Sequence, residues 1–470
     1  MSNEKSGREK VAILGGGITG LTLADALSGR GYSVELFEAA AGVGGLASTV
    51  EWDGFRFDHG PHEFCTDNPE LIGIAKDVLG EDYILKERKA CQYFRGSEIA
   101  YPFAFTDLLK CVGVRMLSRT AAEVFLGRLK NIMWQQEDFS FRKWTESRYG
   151  KTLYAELFEP YTKKVWGVDP EKLDPRTASK RITFNSIFDY IYQYFLLRFK
   201  REQSRNPHSP MRWNFIYAQR GIGTLCDRLA GRARAHGARI HLESRVTGME
   251  LKGDNVKAIE VDGEPFSDFD LIVSTLPLTT QLEMLNYRMP QLIRFRSMAF
   301  VFLKVPLEKM RDWLWTYFPD PGTIFQRTVE FGRFDAGMCP PGHTGLCAEI
   351  SYFPEDEIGR MTDKELVERT IGDLKRDGFL PDNITCEGMV RRTDYAYPIQ
   401  FNGYIEWVSM MMEPIAKIEN LIITGRQALY KYCNMNECME MALEVADGIA
   451  TGNQEKGYSS SSGWKGAGIK

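Results

Sequence analysis

Residues 11–38 read VAILGGGITGLTLADALSGRGYSVELFE, and they constrain the fold more than any other stretch of the chain. Four apolar residues (11–14) form a strand-like run. Gly15, Gly17 and Gly20 then follow the spacing GxGxxG. The first glycine allows a tight turn, the second lets backbone approach a pyrophosphate, and the third lets a helix pack on the strand. A helix starting here offers free N–H groups and the positive end of its dipole to phosphates. LTLADALSGRG places apolar residues at 21, 23, 24 and 27, and SVELFE supplies a second strand. That strand ends in Glu38, eighteen residues past Gly20. A carboxylate there bonds ribose hydroxyls and repels a 2′-phosphate. Strand, turn, helix, strand and acid together predict a dinucleotide cradle.

The rest of the chain bounds what the cradle can serve. Its 470 residues exceed one ordinary core and suggest two or three lobes. A net charge of -4 gives no overall basic field, so nucleic acid is not an expected partner. No run of eighteen apolar residues predicts a membrane span. The opening MSNEKSGREK is polar and has no apolar signal core, which leads to a cytoplasmic expectation. Nine cysteines include no CxxC pair and read as free thiols in a reducing compartment. The six histidines form neither HxxxH nor HExxH, so no metal site is expected.

The residues beyond Glu38 separate NAD from FAD. Gly44 and Gly45 stand in AAGVGGLAST, and the chain runs on as VEWDGFRFDHGPHEFCTDNPEL. This stretch resembles the flavoprotein amine-oxidase superfamily, in which an acid, a glycine pair and a G-F-x-x-D-x-G hairpin wrap FAD. Two later segments carry the same resemblance. One is FDLIVSTLPL (269–278), preceded by GARIHLESRVTGMELKGDNVKAIEVDG. The other is ENLIITGRQALYKYCNMNECMEMALEVADGIA (419–450): a strand, a Gly-Arg turn, then a helix whose start can meet the flavin ring. The resemblance implies FAD, and because no residue stands out for a covalent link, non-covalent binding is expected. The resemblance assigns Gly15, Gly17, Gly20, Glu38, Gly44, Gly45, Val246, Gly425, Asn434 and Met435 to the cofactor.

Three further motifs, HGPHEFCTDNPEL (59–71), EPYTKKVWGVDPEKL (159–173) and GRQALYKYCNM (425–435), resemble UDP-galactopyranose mutase and its protoporphyrinogen-oxidase-like relatives. The resemblance implies reduced flavin acting as nucleophile on a nucleotide sugar, with no net oxidation. It puts Tyr161 and Trp166 near the base and sugar, and His62 beside the flavin. Arg426 and Tyr432 match the arginine and tyrosine of the final motif. Arg181, fifteen residues after Trp166, matches a mobile-loop arginine if one insertion is allowed. Tyr397 falls where the family places substrate-facing residues. His62, Arg181, Arg426 and Tyr432 are the expected catalytic set, with Tyr161, Trp166 and Tyr397 on the substrate. The chain departs from the pattern after Tyr432: an acidic residue is usual, whereas here Cys433, Asn434, Met435 and Asn436 follow.

The fold expected is α/β: a Rossmann-type FAD-binding domain, a mostly helical inserted lobe and a mixed-sheet substrate domain. FAD-binding segments are expected at 10–103, 206–280 and 406–452. The helical lobe spans 104–205, the mixed sheet 281–405, and a Gly/Ser-rich disordered tail 453–470. Residues 391–404, RRTDYAYPIQFNGY, read as an aromatic loop. The stretches 108–134 and 176–205 are basic, the first carrying Lys110, Arg115, Arg119, Arg128 and Lys130 against Glu123. Local positive charge suits an anionic small-molecule substrate. It equally fits a solvated helix face. A third reading takes IFDYIYQYFLLRF as a membrane-surface patch and is not favoured. Two functions stay open: a mutase-like enzyme on a nucleotide-linked sugar, and an oxidase or dehydrogenase acting on an amine, alcohol or C–C bond. A non-catalytic flavin binder fits poorly with so developed a lobe. The sequence leaves the oligomeric state open.

Overall fold

A computed structural model describes residues 9–101, 105–134, 140–177, 214–287 and 293–452. Arg181 and the aromatic stretch 187–199 lie outside the described residues. The N-terminal motif folds as a Rossmann unit because its apolar strands are short and its glycines fall at the turns. Lys10–Leu14 and Ser33–Phe37 pair in parallel, joined by helix Ile18–Gly29. Leu271–Ser274 and Leu421–Ile423 add on one side and Arg239–His241 on the other. The result is a five-stranded parallel sheet assembled from four separated chain segments. Lys10–Leu14, Ser33–Phe37, Leu271–Ser274 and Leu421–Ile423 are buried along nearly their whole length, as expected of a parallel sheet covered on both faces. Helices Gly223–Ala235 and Met435–Ala450 pack against Ile18–Gly29.

A second, seven-stranded sheet is mixed. Its order is Glu387–Pro398, Phe295–Val305, Thr344–Tyr352, Arg327–Glu330, Trp315–Tyr317, Ala90–Phe94, Ser97–Tyr101. All pairs are antiparallel except Trp315–Tyr317 with Ala90–Phe94. Residues 391–398, read from the sequence as part of a loop, are strand instead. Their backbone pairs with Phe295–Val305 through a register shift between Arg296 and Met298. The aromatic residues that suggested a loop are common strand residues.

The inserted lobe is helical over Phe105–Trp134, Phe141–Tyr149 and Glu159–Trp166. The first of these is not one continuous helix, because Gly113 at φ 76°, ψ 159° breaks it. The architecture is α/β, with a Rossmann-type sheet, a helical insertion and a mixed sheet. Among the described residues, no helix is long and apolar enough to cross a membrane.

Buried Asp58 ties its own hairpin to residues 217–222, which lead into helix Gly223–Ala235. It ends the hairpin Thr49–Trp52/Phe55–Asp58 and is fully buried. Its carboxyl accepts from the Tyr217 hydroxyl, from Thr49 Oγ1 at 2.6 Å and from the Ile222 N–H at 3.2 Å. Burial pushes its pKa up to about 6, against the effect of these three donors. The folded pKa lies above the unfolded value. The stability contribution is therefore complete below the unfolded pKa and is lost as pH rises through about 6. Asp58→Ala strands three donors at roughly 1–3 kcal/mol each, so urea unfolding should show a loss of at least about 3 kcal/mol. The stability of the wild type relative to Asp58→Asn should fall between about pH 4 and about pH 6 and stay flat above.

Candidate cofactor and substrate site

The glycine cradle opens onto a cavity of about 1210 Å³ that also reaches the helical lobe and the seven-stranded sheet. Small-ligand pockets usually hold about 300–1,000 Å³, so this space is large enough for a dinucleotide. At the cradle, Gly15 adopts φ +102°, and an added Cβ would collide with Thr275 Oγ1. A Cβ on Gly20 would collide with the Gly15 carbonyl, which is why helix and strand pack so closely. Gly17 differs from both. A Cβ there meets no atom within 4 Å, because it would project into the cavity. Ile18 and Thr19 come next on the cavity wall, where first-turn N–H groups have no partner within the helix.

Glu38 fixes the cradle from the end of the second strand. Its Oε2 accepts from the Gly16 N–H at 2.7 Å and its Oε1 from the Ala40 N–H at 2.8 Å. Both oxygens keep a lone pair for a ribose. Gly44 closes the other side: its N–H donates to the Gly16 carbonyl at 2.8 Å, and it bridges Gly17. Gly45, Val246, Gly425, Asn434 and Met435 line the same cavity. Of the ten expected cofactor residues, only Gly20 is off the wall, where it serves packing.

The far end of the cavity is aromatic and cationic. Helix Glu159–Trp166 sends Tyr161, Thr162, Val165 and Trp166 to it. Lys164 anchors the opposite face. Its ammonium donates to the carbonyls of Phe318 (2.9 Å), Asp320 and Phe325 (3.2 Å) and to Thr323 Oγ1 (2.8 Å). Burial pulls the Lys164 pKa down to about 7, partly countered by Asp320 and Asp373. Trp166 is almost wholly buried. Its ring lies 5.7 Å from Tyr397 and 6.1 Å from Tyr432, and those two tyrosines lie 5.7 Å apart. The Arg426 guanidinium sits over both tyrosine rings, at 5.2 and 4.9 Å. It donates to the carbonyls of Cys433 (2.7 Å) and Ala396 (2.9 Å), while its Nε is buried with no partner among the described residues.

His62 completes this end. It follows the hairpin through the turn at Gly60, which adopts φ +94°. Burial, with His59, Arg327 and Arg426 nearby, pulls its pKa down to about 3, so the imidazole is neutral at ordinary pH. One ring nitrogen bonds the Leu46 backbone, and Nε2 is buried without a partner among the described residues. The structure thus gathers His62, Tyr161, Trp166, Tyr397, Arg426 and Tyr432 on one cavity. Arg181 lies outside the described residues.

The sequence reading missed a second cluster. Arg327 and Glu349 are register partners on neighbouring strands, with Arg327 Nε donating to Glu349 Oε1 at 3.0 Å and Nη2 to Oε2 at 2.7 Å. Burial opposes the charge on Arg327, but Glu349 outweighs it and holds the guanidinium above its ordinary pKa. Tyr317 lies 5.8 Å from Arg327, and Tyr161 lies 5.9 Å from Tyr317. A signal was present: Glu349 is the only charged residue in TGLCAEISY (344–352), a strand buried throughout. A lone acid in such a run must be paired.

The cradle, the Glu38 lone pairs and the partnerless Nε2 of His62 and Nε of Arg426 fit a dinucleotide with a polar ring. Gly17 tests the fit. It sits at φ -73°, where any residue is comfortable, so Gly17→Leu should fold normally. Its side chain would take the pyrophosphate's space. The purified variant should be colourless, with the unfolding midpoint of flavin-stripped wild type; a yellow, fully loaded variant would contradict the assignment.

Comparison with known proteins agrees with this geometry. Residues 18–450 match the family described as flavin containing amine oxidoreductase. Coproporphyrinogen III oxidase of Bacillus subtilis is 22% identical, covering 94% of this chain and 98% of its own. UDP-galactopyranose mutase of Mycoplasma pneumoniae is 27% identical over 36% of this chain and 43% of its own length. Among solved structures, reduced UDP-galactopyranose mutase superposes with a TM-score of 0.79 at 18% identity, covering 96% of both chains. With a family match across nearly its whole length and a cradle shaped for the cofactor, this chain belongs to the flavin containing amine oxidoreductases, and FAD is its cofactor.

Proposed function

We propose that this flavoenzyme binds a nucleotide-linked sugar and rearranges its glycosyl part beside reduced FAD, with no net oxidation. The observation that carries the reading is the far wall of the cavity. There the phenols of Tyr161, Tyr317, Tyr397 and Tyr432 stand with the guanidiniums of Arg327 and Arg426. Phenols suit sugar hydroxyls, and guanidiniums suit a diphosphate. Reduced FAD, when bound, supplies a nucleophile and returns to its starting redox state.

The protein's part is binding, orientation and charge. Arg426 meets no carboxylate among the described residues, so its charge is available to a departing diphosphate. Arg327 is offset by Glu349 and acts as an oriented donor. Trp166 backs Tyr397 and Tyr432 rather than offering an open stacking face. His62, neutral and with Nε2 bare, can accept a hydrogen bond at the ring end without adding charge. Water displaced from the cavity by a bound ligand strengthens each of these contacts. Arg181 joins this set by resemblance alone.

A second reading has its own support. The likeness to coproporphyrinogen III oxidase runs along 94% of the chain. The same guanidiniums would suit a carboxylate substrate, from which oxidised FAD would accept a hydride.

The two readings part on the flavin's redox state. A panel of nucleotide sugars should be incubated without oxygen, with oxidised enzyme and with dithionite-reduced enzyme. Isomerised sugar is expected only from the reduced form. Arg426→Ala and Arg181→Ala should each lose about 10²-fold or more in turnover with flavin still bound. Full activity in either variant would remove that arginine from the mechanism. Bleaching of oxidised flavin by a substrate, with no isomerised sugar, would favour the oxidase.

A further inference from the structure

The chain departs from the mutase-like pattern just after Tyr432, and that departure contains a pair of thiols. Helix Met435–Ala450 is capped by Asn434, whose N–H donates to Glu437 Oε2 at 2.8 Å. Cys433 precedes the cap and Cys438 is the fourth helical residue. Side chains at these two positions pack against each other across a helix start. Here they bring two sulfurs to 3.6 Å. Both residues are buried in the protein yet line the cavity. The other free cysteines show no such partner among the described residues. Cys91 contacts Thr316, Cys226 the Ala47 carbonyl, and Cys339 the Gly345 N–H.

We propose that Cys433 and Cys438 form a redox-active dithiol on the cavity wall, oxidised to a disulfide by a hydroperoxide and returned to the dithiol by a small thiol. Cys438 is assigned as the attacking sulfur because it is carried on the helix Met435–Ala450 itself, near an N-terminus whose dipole favours a thiolate. The hydrogen bond from Cys433 lowers its pKa; burial opposes this, and Arg426 and the Thr19 hydroxyl add to the lowering. A thiol so placed is the more reactive of a pair. The Cys438 sulfur attacks one peroxide oxygen and the O–O bond breaks. The other oxygen leaves as alcohol or water with the Cys438 proton, and Cys438 becomes a sulfenic acid. The Cys433 sulfur then displaces that hydroxyl, which leaves as water with the Cys433 proton. Two thiols and one hydroperoxide thus give one disulfide, one alcohol (or water) and one water. Two equivalents of thiol reverse the change and become a disulfide themselves.

Closure has a consequence for the site. The sulfurs must approach from 3.6 Å to about 2.05 Å. Cys433 is held by its carbonyl to Arg426, which overlies Tyr397 and Tyr432. Oxidation therefore pulls on the anchor of the substrate-facing guanidinium.

The test treats holoenzyme with stoichiometric hydrogen peroxide, quenches with an alkylating agent under denaturing conditions and maps peptides by mass. A 433–438 disulfide, reversed by dithiothreitol, is expected. In Cys433→Ser the sulfenic acid on Cys438 should persist and be trapped by dimedone; Cys438→Ser should give far less adduct on Cys433. Peroxide should shift the visible flavin spectrum of the wild type and leave that of Cys438→Ser unmoved. Alkylatable thiols at both positions after peroxide would overturn the proposal. So would a disulfide that forms only in unfolded protein. Equal adduct in the two serine variants would overturn the assignment of Cys438 as the attacking sulfur.

Discussion

The site depends on one ion pair, half-buried Arg327 with buried Glu349. The two residues face each other across neighbouring strands of the mixed sheet, both lining the cavity. Glu349 also meets the turn that leads to His62. A Cβ on Gly60 would collide with Glu349 Oε1, so only glycine lets that turn lie against the pair. The hairpin turn, the imidazole it carries and the mixed sheet are thereby held in one arrangement. Removing one partner of such a pair leaves a buried charge alone and typically costs about 3–5 kcal/mol. That penalty, rather than any gain from the pair itself, keeps the wall in one geometry.

Two further arginines of the cavity wall are each paired with a carboxylate. Arg88 is bonded to Glu63, and Arg392 to Asp363. Arg426 is held by carbonyl oxygens instead, which fix its direction and leave its charge. Lys164 plays a comparable part on the far side of its helix, where four oxygens receive its ammonium and so position Tyr161 and Trp166. The far end of the wall is therefore aromatic, with the Arg426 guanidinium held by carbonyl oxygens and not by a carboxylate. Such a wall suits an anionic ligand bound beside a ring.

The parts legible in the sequence were those whose geometry is local. GxGxxG, Glu38 and the Gly44–Gly45 pair act within one stretch of chain, and spacing alone places them together. Tyr161, Trp166, Arg426 and Tyr432 came from motif resemblance, and they meet on one cavity. Arg327 and Glu349 were not found because their pairing depends on strand register, which no short window encodes. Residues 391–398 were misread for a similar reason: tyrosines flanked by polar residues fit a loop or an edge strand equally, and the partner strand decides. The Cys433–Cys438 contact is not legible in the sequence, because a spacing of five is no metal-binding or redox motif. Helix capping, not cysteine spacing, brings those sulfurs together.

The family and the cofactor rest on the match over residues 18–450 and on the cradle. The central claim beyond them is that one cavity holds FAD and an anionic glycosyl ligand in contact. The most direct measurement is an anaerobic titration of the reduced holoenzyme with nucleoside diphosphates of each base, followed by flavin absorbance and fluorescence. The account predicts a saturable spectral change for at least one of them, weakened in Arg426→Ala. A flavin spectrum that no nucleoside diphosphate moves would contradict it.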